Sequence, residues 1–393
     1  MMKNKLIAKI KYTAVGCALT IASSSVFAAS YIVPNPPAIS AKAYIVMDYN
    51  SGKIIAEENA DQRRAPASLT KMMTSYIIGQ ELKNGTIKNS DKVTIGRDAW
   101  SVNFPDSSKM FLKIDTQVSV EELNRGIIVD SGNDACVAMA DYIAGGSDAF
   151  AQMMNNWAQR LGLTGSHFVN PDGLDNPKHY VTARDMAILA RHLIKDLPNE
   201  YKIYSEKSFT YNGITQYNRN TLLWDKSLNV DGIKTGHTSN AGYNLVTSAT
   251  EKGMRLITVV MGTPSKYARE AESKKLLVWG FRFYDTVKPY KAGDSFVKAR
   301  VWKGKINNVE LGVDKDVAIT IPRGQAKNLK ASYDLNKTLE APLKKGDVVG
   351  TLHFKLDGKN VGDYQLVALQ NVEKGGIFKQ LFDYIRQLFA SWF

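Results

Sequence analysis

Ser68-Leu69-Thr70-Lys71 sets a hydroxyl and an amine three residues apart, directly after Pro66 and at the start of an apolar pattern with helical spacing. Three helical residues advance about 4.5 Å and return to nearly the same face, so the two side chains point together. A serine hydroxyl is a weak nucleophile until a neighbour accepts its proton, and a lysine can do so once desolvation or a second cation lowers its pKa. The spacing predicts acyl transfer through Ser68 with Lys71 as general base. By itself the pattern is common by chance, so two further clusters matter. Ser131-Gly132-Asn133 offers a hydroxyl to relay a proton toward a leaving amine and an amide to hydrogen-bond a peptide. Lys234-Thr235-Gly236 offers a cation and a hydroxyl for a substrate carboxylate, with a glycine that permits close backbone approach. Lys234 is also a candidate for the cation that keeps Lys71 neutral.

The elements that must position these residues are legible from periodicity. Ala43 to Glu57 reads as a β-hairpin around Asn50-Ser51-Gly52. Helices are predicted over Ala67 to Lys83, Val120 to Ile128, Asp134 to Ile143, Asp148 to Leu161 and Ala183 to Leu197, with capping-box starts at Ser119 to Glu122 and Thr182 to Asp185. Strands return over Tyr243 to Thr250 and Met254 to Gly262, joined at Lys252-Gly253, and a long helix follows from Lys266 to Tyr284. Strands at both ends of a helical middle imply one α+β domain over residues 29–287. From Lys288 onward, short apolar segments separated by turn signals such as Lys345-Gly346-Asp347 and Asp357-Gly358 indicate a small all-β domain over residues 288–373. No catalytic constellation is visible there, and a spacer or interaction role is expected for it.

Both termini carry their own signals. Lys3, Lys5, Lys9 and Lys11 precede an apolar run from Tyr12 to Ala22 and small residues around Val26-Phe27-Ala28, the pattern of a secretory signal cleaved after Ala28. At the other end, in residues 374–393, Ile377, Phe378, Leu381, Phe382, Ile385, Leu388, Phe389 and Trp392 recur at helical spacing. Lys379, Gln380, Asp383, Arg386 and Gln387 take the opposite face. Too short and too charged to span a bilayer, this segment suits a helix lying in a membrane interface, with Lys374-Gly375-Gly376 as a flexible break before it.

Composition removes other classes. The formal charge of +13 favours anionic neighbours, but the basic residues are spread through charge-mixed stretches rather than clustered with aromatics, which argues against nucleic-acid binding. Cys17 falls within the predicted signal, leaving Cys136 without a disulfide partner, in a context that reads as a buried helix face. Five histidines without ligand-like spacing give no support for a metal, and no cofactor is expected.

The three clusters, in this order and about 60 and 100 residues apart, resemble the serine, lysine and glycine boxes of penicillin-interacting enzymes. Ala67-Ser68-Leu69-Thr70-Lys71-Met72-Met73, Ser131-Gly132-Asn133-Asp134-Ala135-Cys136 and Asp231-Gly232-Ile233-Lys234-Thr235-Gly236-His237-Thr238 narrow the resemblance to low-molecular-mass penicillin-binding proteins that are serine D-alanyl-D-alanine carboxypeptidases. It extends to Ala271 to Lys275 and to the terminal amphipathic helix. It implies a penicillin-binding/β-lactamase-like catalytic domain, an acyl-enzyme on Ser68, inhibition by β-lactams, and attachment to the periplasmic face of the bacterial inner membrane. Peptidoglycan stem peptides ending in D-alanyl-D-alanine are the implied substrates. Ser131 would assist the leaving amine, backbone N–H groups of Ser68 and His237 would form the oxyanion hole, and Lys234, Thr235 and Arg269 would take the terminal carboxylate, with Asn133 and Gly236 completing the binding site. Arg219 is a candidate for ordering the site. Class A β-lactamases place aspartate where this chain has Gly132 and use a dedicated glutamate, and the context of Glu200 does not match that motif. Two other readings are weighed with it: an endopeptidase or transpeptidase using the same residues, and a non-catalytic wall-peptide-binding protein.

Overall fold

The computed structural model describes residues 33–390. The predicted signal over 1–28, Cys17 and Trp392 lie outside them. The chain first forms β1 (Ala43–Asp48) and β2 (Ile54–Glu58), then a 3-10 turn over Ala67–Thr70 that runs into α1 (Lys71–Asn84). A helical stretch follows: β3 (Lys92–Thr94), β4 (Gln117–Ser119), α2 (Val120–Arg125), a π-helical turn over Gly126–Asp130, α3 (Asn133–Ala144), α4 (Ser147–Arg160) and α5 (Ala183–Asp196). Next come β5 (Ser208–Tyr211), β6 (Ile214–Tyr217), β7 (Asn229–Thr238), β8 (Gly242–Glu251), β9 (Met254–Thr263) and α6 (Lys266–Phe283).

One antiparallel sheet, in the order β2-β1-β9-β8-β7, organises this first part. Alternate residues of a strand face opposite sides, and β1 is buried on both. Ala43, Ile45 and Met47 pack with α1, α4 and α5, whereas Tyr44 and Val46 pack with Leu276, Leu277 and Trp279 of α6. A third apolar cluster joins α2, α3 and the β3–β4 pair and contains Cys136. That thiol is fully buried and burial pushes it up to about 12, as the sequence context implied. The β8–β9 turn places Lys252 and Gly253 both in the left-handed region (φ 48° and 83°), which matches the twist of a tight hairpin.

Two predicted helices are divided, each at the site. The first turn of the expected Ala67 to Lys83 helix is 3-10, and Ala67 itself has φ 50°. The expected Val120 to Ile128 helix loosens into the π turn, which ends with Ser131 in the left-handed region (φ 61°). Such local departures are tolerated where surrounding packing holds them, and they re-aim side chains. Ser119 forms the predicted capping box with Glu122. At the α5 start Thr182 accepts from the Asp185 N–H, but the Asp185 carboxylate turns away to accept from Gly165 N and Ser166 Oγ. Aspartate is one methylene shorter than the glutamate of a capping box, so it serves the neighbouring loop instead.

The remainder comprises β10 (Tyr284–Val287), β11 (Ser295–Arg300), β12 (Asn308–Gly312), β13 (Ile319–Pro322), β14 (Leu329–Leu335), β15 (Val348–Leu356), β16 (Lys359–Ala368) and α7 (Ile377–Ala390). It is all-β apart from α7 and one short 3-10 turn: a five-stranded sheet ordered β11-β12-β16-β15-β14, and a β10–β13 pair, around a separate core. Buried Asp48 of β1 accepts hydrogen bonds from Thr286 of β10 and, at 2.7 Å, from Thr320 of β13. The approach to α7 differs from the expected flexible break. Gly375 N donates to Lys303 O at 2.8 Å, and Asp383 is completely buried, accepting from Lys303 N, Arg300 Nη2 and Lys379 Nζ at 2.8, 2.9 and 2.7 Å. The polar face of α7 is thus docked on the β-domain while its apolar face points outward.

Candidate active site

The 3-10 turn at Ala67–Thr70 brings residues three apart into register, because that helix has three residues per turn. Ser68 opens into a cleft of about 730 Å³ and Lys71, the first residue of α1, lies buried behind it. Lys71 Nζ is 3.1 Å from Ser68 Oγ, 2.7 Å from Asn133 Oδ1 and 2.6 Å from the Asp172 carbonyl oxygen. The two short contacts can be donated by a neutral amine, whose lone pair then remains for the Ser68 proton. Burial is the main reason that Lys71 lies below the ordinary lysine value, and Arg219 is the cation that adds to it.

Ser131 stands across the cleft. Lys234 Nζ, on β7, donates to Ser131 Oγ at 3.0 Å. Lys234 is buried and held well below the ordinary lysine value, first by burial and then by the charges of Lys71 and Arg219. Lys234 is thus not the cation that chiefly keeps Lys71 neutral: burial leads, and Arg219 adds to it.

Thr235, Gly236 and His237 follow on β7, beside the Ser68 turn. A Cβ at Gly236 would come within 2.7 Å of the Pro66 carbonyl oxygen, so the glycine allows β7 to press on the turn that carries the serine. His237 is exposed and stacks on Tyr243, with ring centroids 3.8 Å apart and 8° between planes. Arg269 of α6 is no helix-surface arginine: it is buried, lies over the Tyr243 ring at 5.7 Å, lines the cleft, and has no partner for Nε among the described residues. Arg219 also lines the cleft and donates to the Asp130 carbonyl oxygen, which is its ordering contact.

Asn133 lines the cleft; its amide oxygen accepts from Lys71 and its nitrogen donates to Ser107 Oγ at 3.0 Å, which leaves its second N–H for a peptide. Asp172 carries no signature in the sequence, since its contact with Lys71 uses a main-chain oxygen that every residue possesses. The only local signal is the turn-forming run Asn170-Pro171-Asp172-Gly173. A Cβ at Gly132 would lie 2.9 Å from Asp134 Oδ1 and 3.1 Å from Met110 N, so an aspartate there does not fit this backbone. Glu200 accepts from Asn124 at 3.1 Å and does not line the cleft. Among the described residues, no cluster of three or more His, Cys, Asp or Glu side chains is arranged to hold a metal ion.

The geometry sets a cleft hydroxyl in front of a buried amine, facing a second hydroxyl–amine pair, in a cleft bordered by cations. Comparison with known proteins agrees. Residues 31–265 match the D-alanyl-D-alanine carboxypeptidase family, and residues 284–374 match the C-terminal domain of penicillin-binding protein 5. The D-alanyl-D-alanine carboxypeptidase DacA of Escherichia coli strain K12 is 58% identical over 366 residues, covering 92% of this chain and 91% of that protein. The crystal structure of penicillin-binding protein 5 from Haemophilus influenzae superposes with a TM-score of 0.85 at 56% identity, over 87% of this chain and all of that one. A mutant of the Streptomyces K15 DD-transpeptidase is 30% identical with a TM-score of 0.58, over 62% of this chain and 99% of that one. With the same fold and this level of identity along nearly its whole length, the chain belongs to the serine-type, penicillin-binding D-alanyl-D-alanine carboxypeptidase family.

Proposed function

We propose that Ser68 attacks the carbonyl between the two terminal D-alanines of a peptidoglycan stem pentapeptide, with Lys71 as the base that accepts its proton. The observation that carries this reading is the position of Lys71 Nζ, tied to Asn133 and Asp172 with Ser68 Oγ 3.1 Å away. Backbone N–H groups of Ser68 and His237 stabilise the oxyanion, and Ser131, held by Lys234, passes a proton to the departing amine. Thr235 and Arg269 take the terminal carboxylate, and Lys234 adds positive charge behind them. Free D-alanine leaves, and water releases the acyl group from Ser68. A β-lactam acylates the same serine.

The test is release of free D-alanine from a short acyl peptide ending in D-alanyl-D-alanine. Wild type is expected to release it, and Ser68→Ala to lose both release and covalent penicillin labelling. A folded, penicillin-labelled wild type that releases none would favour transpeptidase or endopeptidase action on a larger substrate.

The same reading extends to location and organisation. Residues 1–28 act as the cleaved export signal, 29–287 as the catalytic domain, 288–373 as the all-β domain, and 374–393 as the attachment to the periplasmic face of the inner membrane. Supporting the last point, Ile377 and Phe378 are 81% and 89% exposed, and Leu381, Phe382, Ile385 and Leu388 share their exposure. No helix among the described residues is long and apolar enough to cross a membrane. Deleting 377–393 is expected to move the enzyme from the membrane to the soluble fraction while D-alanine release continues; retained sedimentation with membranes would require another anchor.

A further inference from the structure

Asp130, the last residue of the π-helical turn, is completely buried, and neither of its carboxylate oxygens has a hydrogen-bond partner among the described residues. A buried acid in that position must be compensated by nearby charge or carry a proton. Arg219 anchors its guanidinium on the carbonyl oxygen of this same residue and also lines the cleft. The charged groups that act on the carboxyl are Arg219 from the segment after β6, Lys234 from β7 and Asp134 from α3. The two cations favour the anion and Asp134 opposes it. Burial, with Asp134 adding to it, outweighs the two cations and pushes the Asp130 carboxyl up to about 7. The next residue is Ser131, whose hydroxyl accepts from Lys234. A charge that is either present or absent at neutral pH therefore sits behind the cleft, next to Arg219, which lines it, and to Lys234, which holds Ser131.

We propose that Asp130 is a positioning residue that tunes those cations, and that it takes up a proton when a substrate carboxylate docks in the cleft. This rests on the carboxylate-binding reading given above. The incoming carboxylate and Asp130 are like charges in the field of the same cations, so binding one anion disfavours the other. By reciprocity, neutral Asp130 favours the bound carboxylate. Only an O–H bond on Asp130 forms, and the proton comes from the buffer. Neutral Asp130 also leaves the charge of Arg219 less compensated, which favours the unprotonated form of Lys71. The sign is fixed: below about pH 7 the acid is neutral and carboxylate binding is stronger; above it the anion forms and binding weakens.

The experiment is calorimetric titration of the full chain carrying Ser68→Ala, which binds without turnover, with an acyl-D-alanyl-D-alanine peptide at pH 7.5. Buffers of different ionisation enthalpy report the protons exchanged. Net proton uptake is expected, together with an affinity that falls about three- to tenfold from pH 6 to 8.5, as expected for one unit charge at an effective dielectric near 20 and a separation of about 12–25 Å. Adding Asp130→Asn is expected to abolish the uptake and flatten the pH dependence, and the peptide methyl ester is expected to elicit neither effect. The same uptake with and without Asp130→Asn, or none in its presence or absence, overturns the proposal. A peptide that fails to bind overturns it together with the carboxylate reading. Penicillin labelling of the Asp130→Asn chain with Ser68 intact reports separately whether the acylation reading and the fold survive. Should that variant not fold, infrared difference spectra of the Ser68→Ala chain decide: a protonated-carboxyl band gained on peptide binding supports the assignment, and its absence refutes it.

Discussion

Lys71→Ala will slow acylation of Ser68 by penicillin by about 10²- to 10⁴-fold, the range lost when a positioned general base is removed. The substitution deletes the group 3.1 Å from Ser68 Oγ and leaves the Asn133 amide oxygen and the Asp172 carbonyl facing a small cavity. The fold is expected to survive with a loss of about 1–3 kcal/mol, the cost of leaving those buried acceptors without a donor. Labelling kinetics and a thermal melt, measured together, separate the two effects. The pH profile adds a sign. The neutral amine is the base, so wild-type acylation rises as pH increases through the lowered pKa of Lys71, below the ordinary lysine value of 10.5. That rise should vanish in the variant. Labelling at the wild-type rate would remove Lys71 from the base role.

Gly173→Ala will damage the site without touching any group that takes part in the chemistry. Gly173 has φ +91°, and a Cβ built there lies 1.9 Å from the Ala67 carbonyl oxygen and 2.8 Å from Thr70 Oγ1. Neither atom is the end of a flexible side chain that can swing away: one is backbone, and Thr70 Oγ1 is itself hydrogen-bonded to buried His179 at 2.9 Å. The turn that carries Ser68 must therefore part from the loop that supplies the Asp172 carbonyl to Lys71. Overpacking and left-handed strain together are expected to cost about 2–4 kcal/mol of stability. Acylation is expected to fall at least about tenfold, since a misplacement of about 1 Å at a catalytic pair is enough for that. Denaturant unfolding and penicillin labelling check the two parts. Wild-type values in both would mean that the Asp172 loop is not what holds Lys71 in place.

The residues with the strongest local signatures are legible from residue type and spacing. Ser68 and Lys71 are three apart on a helical start, and any helical geometry, α or 3-10, brings them to one side. The α5 and α6 boundaries lie within one residue of their periodic patterns, and the Ser119 capping box forms because its four residues contain both reciprocal partners. The amphipathic pattern of the last segment likewise specifies a helix with one apolar face, because the 3.6-residue repeat alone determines which side chains share a face.

What tertiary structure decided is where those faces and motifs meet. Asn133 turns its amide oxygen to Lys71 and one N–H to Ser107, because α3 begins beside the loop containing Ser107 and the buried amine needs acceptors. Asp172 enters through a main-chain oxygen, which leaves no trace in residue type, and Asp130 is set behind the cleft only by the packing that brings Arg219 onto its carbonyl. The docking of α7 through Asp383 depends on Arg300 and Lys303, some eighty residues away in sequence. Spacing within a segment sets local direction, so the sequence alone determined that Ser68 and Lys71 share one side and that the last segment has one apolar face. The partners of those groups depend on contacts between distant segments, and only the packed chain could place a carbonyl, a glycine or a counter-charge against them.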